Sequence, residues 1–336
     1  MSALLEIENL RVTFRRPGLI RRPPPFVAVD DVTLRLGAGE TLGVVGESGS
    51  GKTTVARAVL RLLRPESGTV RFDGHDVTAF DKVPKWYRRR VQSIFQDPTT
   101  SLNPSWTVRD IVGEPIQVHE NVSRRELLLR VGELLEHVGL DPASDQRRPA
   151  DFSGGQRQRI GIARALATRP DLIVCDEPVS ALDVSTQSTV VNLLNRIQRD
   201  TGVSYLFIGH DLTLMRHVSD RIAVMYRGHL VEEGPAENIY RDHTHPYTRM
   251  LLDAAPTLDP DEQKRRRYRR AESEPSSATA DQSSGCAFAP RCPSAIDRCL
   301  TEAPAAQHRA GGSVRCHLTS TPSAPAPRSL TSSSHS

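Results

Sequence analysis

No apolar run in the sequence approaches the ~18 residues that a membrane-spanning helix needs, and the first residues lack the apolar core of an export signal. A chain that neither crosses a bilayer nor is secreted is the expectation. An excess of charge of one sign is also missing. Lys and Arg total 44 against 40 Asp and Glu, leaving +4 over 336 residues, too little to argue for nucleic acid without a clustered patch. Cysteine is sparse, with five in all, and without an export signal a disulfide framework is not expected. Yet four of them fall between Cys286 and Cys316, so that cluster needs another account. A hydrophobic content of 38% suits a globular protein with a polar appendix, and the length suggests about two domains.

What is present reads as α/β. The short apolar runs Thr41–Val45, Leu172–Cys175 and Val203–Ile208 alternate with helical patterns, which predicts βαβ units and a parallel sheet. Leu4–Phe14 and Val27–Leu36 predict strands on either side of the insert Arg15–Pro25, a loop because three successive prolines cannot feed a ladder. A helix is predicted after Ser123 and Glu126, a capping-box pair, and Gly139 and Pro142 end it. The expected organisation is a folded unit over 1–255 with a helical part at about 97–165, a basic flexible linker over 256–285, a Cys-rich region over 286–319, and a Ser/Pro/Thr-rich disordered tail over 320–336.

Gly46-Glu47-Ser48-Gly49-Ser50-Gly51-Lys52-Thr53 satisfies G-x-x-x-x-G-K-[ST] between a predicted strand and a predicted helix, Thr53–Leu63. Glycines let the backbone curl until its N–H groups face an anion, and the helix adds its positive end. Lys52 then supplies a charge to the β/γ phosphates and the Thr53 hydroxyl is placed for Mg²⁺, with Thr54 beside it. Downstream, Leu172-Ile173-Val174-Cys175 runs into Asp176 and Glu177. Asp176 is the expected Mg²⁺ partner and Glu177 the expected general base for an attacking water.

A further motif, Phe152-Ser153-Gly154-Gly155-Gln156-Arg157-Gln158-Arg159, resembles the signature of the ATP-binding subunits of ABC transporters. Ser153 and Gln156 stand at capping-box spacing, so Ser153, Gly154 and Gly155 open a helix with free N–H groups, a second anion site. Two such sites in one chain make sense if two chains pair head-to-tail, each closing its signature over the other's P-loop. The resemblance covers about residues 4–255 and implies a P-loop ATPase of ABC type, with a mixed sheet, an antiparallel β subdomain and a helical subdomain. It implies that Gln96 contacts the metal and attacking water, that Ser180-Ala181-Leu182-Asp183 crosses the dimer interface, and that His210 contacts the γ-phosphate. Phe14 is the candidate for stacking on adenine, with Phe26 competing.

Ile94-Phe95-Gln96-Asp97-Pro98, Ser101-Leu102-Asn103-Pro104, Gly209-His210-Asp211-Leu212 and His245-Pro246-Tyr247-Thr248 resemble the dipeptide/oligopeptide importer subgroup, which includes nickel importers, and its F-type subunit in particular. That implies a heterodimer with a homologous D-type ATPase, two membrane permeases, an extracytoplasmic solute-binding protein, and a peripheral position on the cytoplasmic face of the membrane. Peptide is the favoured cargo, nickel or another small solute the alternative. An exporter or a soluble ABC ATPase fits less well, since the chain carries no membrane helices and no long coiled-coil insertion.

Cys286, Cys292, Cys299 and Cys316 can bring four thiolates to one centre. Some importer ATPases that the chain resembles hold a [4Fe–4S] cluster this way. The absence of C-x2-C pairs favours iron–sulfur over Zn²⁺, with free thiols or occasional disulfides as the third reading. A region so short and polar has little core, so a metal is expected to contribute most of its folding energy. Lys264–Arg270 reads as a solvated basic linker or as a contact for anionic lipid, with nucleic acid a distant third.

Overall fold

The structure, a computed structural model, describes residues 3–15, 25–254, 285–309 and 311–320. The basic run Lys264–Arg270, most of the insert Arg15–Pro25 and the Ser/Pro/Thr-rich tail beyond 320 lie outside the described residues.

Among the described residues the strands are β1 (Leu5–Phe14), β2 (Phe26–Leu36), β3 (Thr41–Val45), β4 (Ser67–Phe72), β5 (His75–Asp76), β6 (Val91–Ile94), β7 (Leu172–Asp176), β8 (Ser204–Gly209), β9 (Arg221–Tyr226), β10 (His229–Pro235), β11 (Gln307–Arg309) and β12 (Gly312–Val314). They form two sheets. The smaller, ordered β2-β1-β4-β5, is antiparallel and buries one face, so its strands alternate apolar and polar residues. In β1 that alternation slips at Asn9, whose φ of 48° marks an irregularity between the pairs of Ile7 and Leu10.

The larger sheet runs β11-β12-β10-β9-β3-β8-β7-β6, and the strands from β9 to β6 are parallel. Both faces of its centre are covered, which is why β3 and β8 read as nearly unbroken apolar runs rather than alternations. Two hydrophobic cores flank it. One joins the smaller sheet and the helix Lys52–Val59. The other joins the helices Val108–His119, Arg124–His137, Gly154–Leu166 and Val184–Thr201. The capping box expected at Ser123 forms only in part, with Ser123 accepting from the Glu126 N–H; full boxes form at Thr107/Asp110 and Ser153/Gln156. The helix expected to reach Leu63 ends at Val59, because Arg61 takes a left-handed φ of 56°.

The C-terminal region differs most from expectation. It extends the main sheet, β12 pairing with β10 through Glu232↔Val314 and Glu233↔Ser313. Phe288, 1% exposed, lies in the large core with its ring edge-on to Tyr226 at 5.2 Å and beside Tyr247 and His245. A borrowed core therefore anchors the region, where a metal was expected to. The four thiols lie within electrostatic reach of one another, and the Cys286 N–H donates to the Cys299 carbonyl at 2.8 Å. However, no three His, Cys, Asp or Glu side chains among the described residues converge on a metal-sized position. Burial raises the thiols of Cys286, Cys292 and Cys316 above the ordinary thiol value, Cys292 to about 11. The residues as arranged do not fit a [4Fe–4S] cluster or Zn²⁺, and that expectation is corrected here.

Candidate active site

The phosphate loop leaves the C-terminal end of β3 and opens the helix Lys52–Val59. Gly51, the residue before that helix, has φ 103°, and a Cβ there would stand 2.5 Å from the Ala28 carbonyl, so only glycine fits. Lys52, 5% exposed, donates from Nζ to the carbonyls of Gly46 at 2.8 Å and Glu47 at 2.9 Å. Burial lowers its ammonium below the ordinary lysine value, opposed by the charges of Glu177, Asp176 and Glu47.

The parallel register brings β7 and β8 to the same end of the sheet. Asp176, the last residue of β7, accepts from the Thr53 hydroxyl at 3.2 Å. Its carboxyl lies above the ordinary value because burial penalises the charge; the Thr53 bond opposes this and neighbouring Glu177 adds to it. Glu177 follows in a left-handed conformation, φ 48°, with its N–H held by the Ile208 carbonyl of β8 at 3.0 Å. Such a backbone costs ~1–3 kcal/mol and persists where its surroundings impose it. Gln96 Nε2, just past β6, and His210 Nδ1, just past β8, each lie 3.4 Å from Glu177 Oε2. Four segments far apart in sequence thus converge: Lys52 and Thr53, Gln96, Asp176 and Glu177, and His210.

Ser153, Gly154, Gly155 and Gln156 stand elsewhere. Ser153 accepts from the Gln156 N–H at 3.3 Å while the Gln156 side chain accepts from the Ser153 N–H at 2.9 Å. Gly155 lies so close to the helix Val184–Thr201 that a Cβ would meet Thr186 Cγ2 at 2.5 Å. Asp183 caps that helix by accepting from Thr186, and its bonds to Ser185 and Thr186 hold its carboxyl far below the ordinary range. Among the described residues no hydrogen bond or ion pair links Ser153–Gln156 to the phosphate loop of the same chain.

Beside the phosphate loop lies a cavity of about 490 Å³, bounded by Phe26, Val27 and Ala28 of β2, by Glu47, Ser48, Gly49 and Ser50, and by Tyr226, Arg227 and Arg291. Phe14 faces Phe26 across the β1–β2 pair, and of these two phenylalanines Phe26 lines the cavity. Three contributors were missed by sequence reasoning. Tyr247 accepts through its hydroxyl from the Glu47 N–H at 2.9 Å, giving a job to a motif noticed only as a likeness. Arg227 and Arg291 carried no signal, since their position depends on how remote segments pack.

A P-loop at the end of one parallel strand, an Asp-Glu pair at the same end of the strand two places along and a separate capped helix start are the arrangement of an ATP-binding cassette. Residues 29–180 match the family described as ABC transporter, and residues 231–299 match the one described as oligopeptide/dipeptide transporter, C-terminal region. The Escherichia coli oligopeptide transport ATP-binding protein OppF is 47% identical over 94% of this chain and 96% of its own. Bacillus subtilis AppF, an oligopeptide transport ATP-binding protein, is 45% identical over 94% of this chain and 98% of its own. A solved bacterial ABC transporter cassette, MJ0796, a dimer, aligns with a TM-score of 0.61 at 27% identity, covering 69% of this chain and 98% of that one. The chain belongs to the family of ATP-binding subunits of oligopeptide ABC transporters.

Proposed function

We propose that this chain hydrolyses ATP at a nucleotide sandwiched between it and a homologous ATPase, a D-type subunit, and so drives uptake of di- and oligopeptides. Two permeases and a solute-binding protein complete the machine, at the cytoplasmic face of the membrane. The relatives' names and the matched C-terminal region support the cargo class. No helix among the described residues is long and apolar enough to cross a membrane, which supports handing the motion to partner chains.

One observation carries the chemistry: the Glu177 carboxylate lies at equal distances from Gln96 and His210, next to the buried Lys52 and the Thr53–Asp176 pair. The P-loop residues Gly46 to Thr54 bind the phosphates, Lys52 as their fixed charge. Thr53, Asp176 and Gln96 offer oxygen donors, the set a hard divalent cation such as Mg²⁺ selects, and that ion would neutralise phosphate charge. Glu177 takes the proton of the attacking water, Gln96 orients that water, and His210 steadies the γ-phosphate end. Ser153, Gly154, Gly155 and Gln156 close on the partner's nucleotide, and Asp183 lies along the same junction. Separation of the signature from its own phosphate loop supports the head-to-tail pair.

The test is Glu177→Gln assembled with the permeases, the binding protein and a partner ATPase already inactivated at its own glutamate. ATP binding and dimer closure are retained, while hydrolysis and peptide uptake are abolished. Normal turnover by that assembly would refute the assignment.

A further inference from the structure

One side chain of the C-terminal region reaches the phosphate loop. Arg291 donates to both carboxylate oxygens of Glu47, at 2.7 and 2.9 Å, in a fork-on-fork pair. Its guanidinium also lies 5.7 Å from the Tyr226 ring centre. A second clamp, Arg315 on Asp31 at 2.8 Å, ties the same region to β2, whose residues Phe26 to Ala28 also line the cavity. Of the C-terminal region, Arg291 is the residue that lines the cavity.

Glu47 is an awkward residue for its place. A polyphosphate is strongly anionic, and a free carboxylate on the loop that cradles it would oppose binding in a partly desolvated site. Arg291 cancels that charge. We infer that Arg291 belongs to the nucleotide site, where it neutralises Glu47, so that the C-terminal region sets the ATP affinity of the phosphate loop. This deepens the ATPase reading above and rests on it.

The logic reduces to charge in the cavity. Relative to the wild type, Arg291→Ala adds one negative charge, Glu47→Gln removes one, and the double variant restores the balance. ATP binding to the full-length chain, measured by calorimetry in EDTA so that no hydrolysis intervenes, should follow that order. Glu47→Gln binds tightest, the wild type and the double variant bind alike, and Arg291→Ala binds about tenfold more weakly, ~1.4 kcal/mol. Added salt should narrow the spread, since the effect is one of charge. Arg298→Ala, in the same region but paired at the surface with Glu302, should match the wild type. Wild-type affinity in Arg291→Ala, or a double variant as weak as Arg291→Ala, overturns the inference. Should Arg291→Ala fail to fold, Glu47→Gln alone decides: tighter binding supports the inference, unchanged or weaker binding overturns it. A wild type that binds no ATP refutes the ATPase reading and this inference together; a lost order with wild-type binding intact refutes this inference alone.

Discussion

His245 offers a direct test of how the buried corner behind the phosphate loop is held. Its ring is 1% exposed and accepts at Nδ1 from the Tyr247 N–H at 3.1 Å, so the neutral form is required there. Protonation would set a donor against a donor in a buried site, and burial accordingly lowers the imidazole from 6.5 to about 4. The unfolded chain then holds the extra proton between those two values. Stability is complete above 6.5 and is lost as the pH falls toward about 4. At 1.36 kcal/mol per pH unit the whole loss amounts to ~3 kcal/mol, and ~2 kcal/mol of it falls between about pH 7.5 and pH 5. Urea unfolding followed by circular dichroism at those two pH values measures it. His245→Asn keeps an acceptor for Tyr247 without the titration, so it should lose ~2 kcal/mol less than the wild type on acidification. Half-buried His229 and His243, also lowered, and Glu232, raised by burial, act in both proteins and cancel from the difference. An equal acid loss in the two proteins would refute the reasoning. Because Tyr247 also holds the Glu47 N–H, loosening this corner should weaken ATP binding in parallel.

Other outcomes follow from the same geometry. Gly51→Ala meets both a φ of 103° and the Ala28 carbonyl, so nucleotide affinity should collapse and the protein should lose ~1–3 kcal/mol, read by ATP titration and thermal melting. Phe288→Ala removes a ring from the large core and should cost ~3–5 kcal/mol in denaturant unfolding, while alkylation of Cys286 and Cys292 by iodoacetamide speeds up. Phe26→Ala should weaken ATP binding about tenfold and Phe14→Ala much less, since a stacked base is worth ~1–3 kcal/mol and Phe26 lines the cavity.

Local chemistry was legible from the chain alone. A phosphate cradle is built from consecutive backbone N–H groups, so its eight residues stand together and spell themselves out. The strands β3, β7 and β8 were legible because a sheet buried on both faces demands an unbroken apolar run. Ser153 and Gln156 were legible because a cap reaches only three residues. Where the reading failed, the cause was distance. The cysteine spacing suggested a metal centre, yet spacing limits only what a loop can reach, and Phe288 and β12 had already tied that region to the main sheet.

By itself, then, the sequence determined the class of protein: a phosphate-loop motif, a carboxylate pair and a capped helix start, each written within one short stretch whose backbone geometry is local. Tertiary structure alone decided what those stretches meet. Parallel pairing of β3, β8 and β7 gathers Lys52, Asp176, Glu177 and His210 at one edge, and packing of the C-terminal region brings Arg291 onto Glu47 across 244 residues. Contacts of that range leave no periodicity or spacing in the chain, because their energy depends on the packed core that holds both partners.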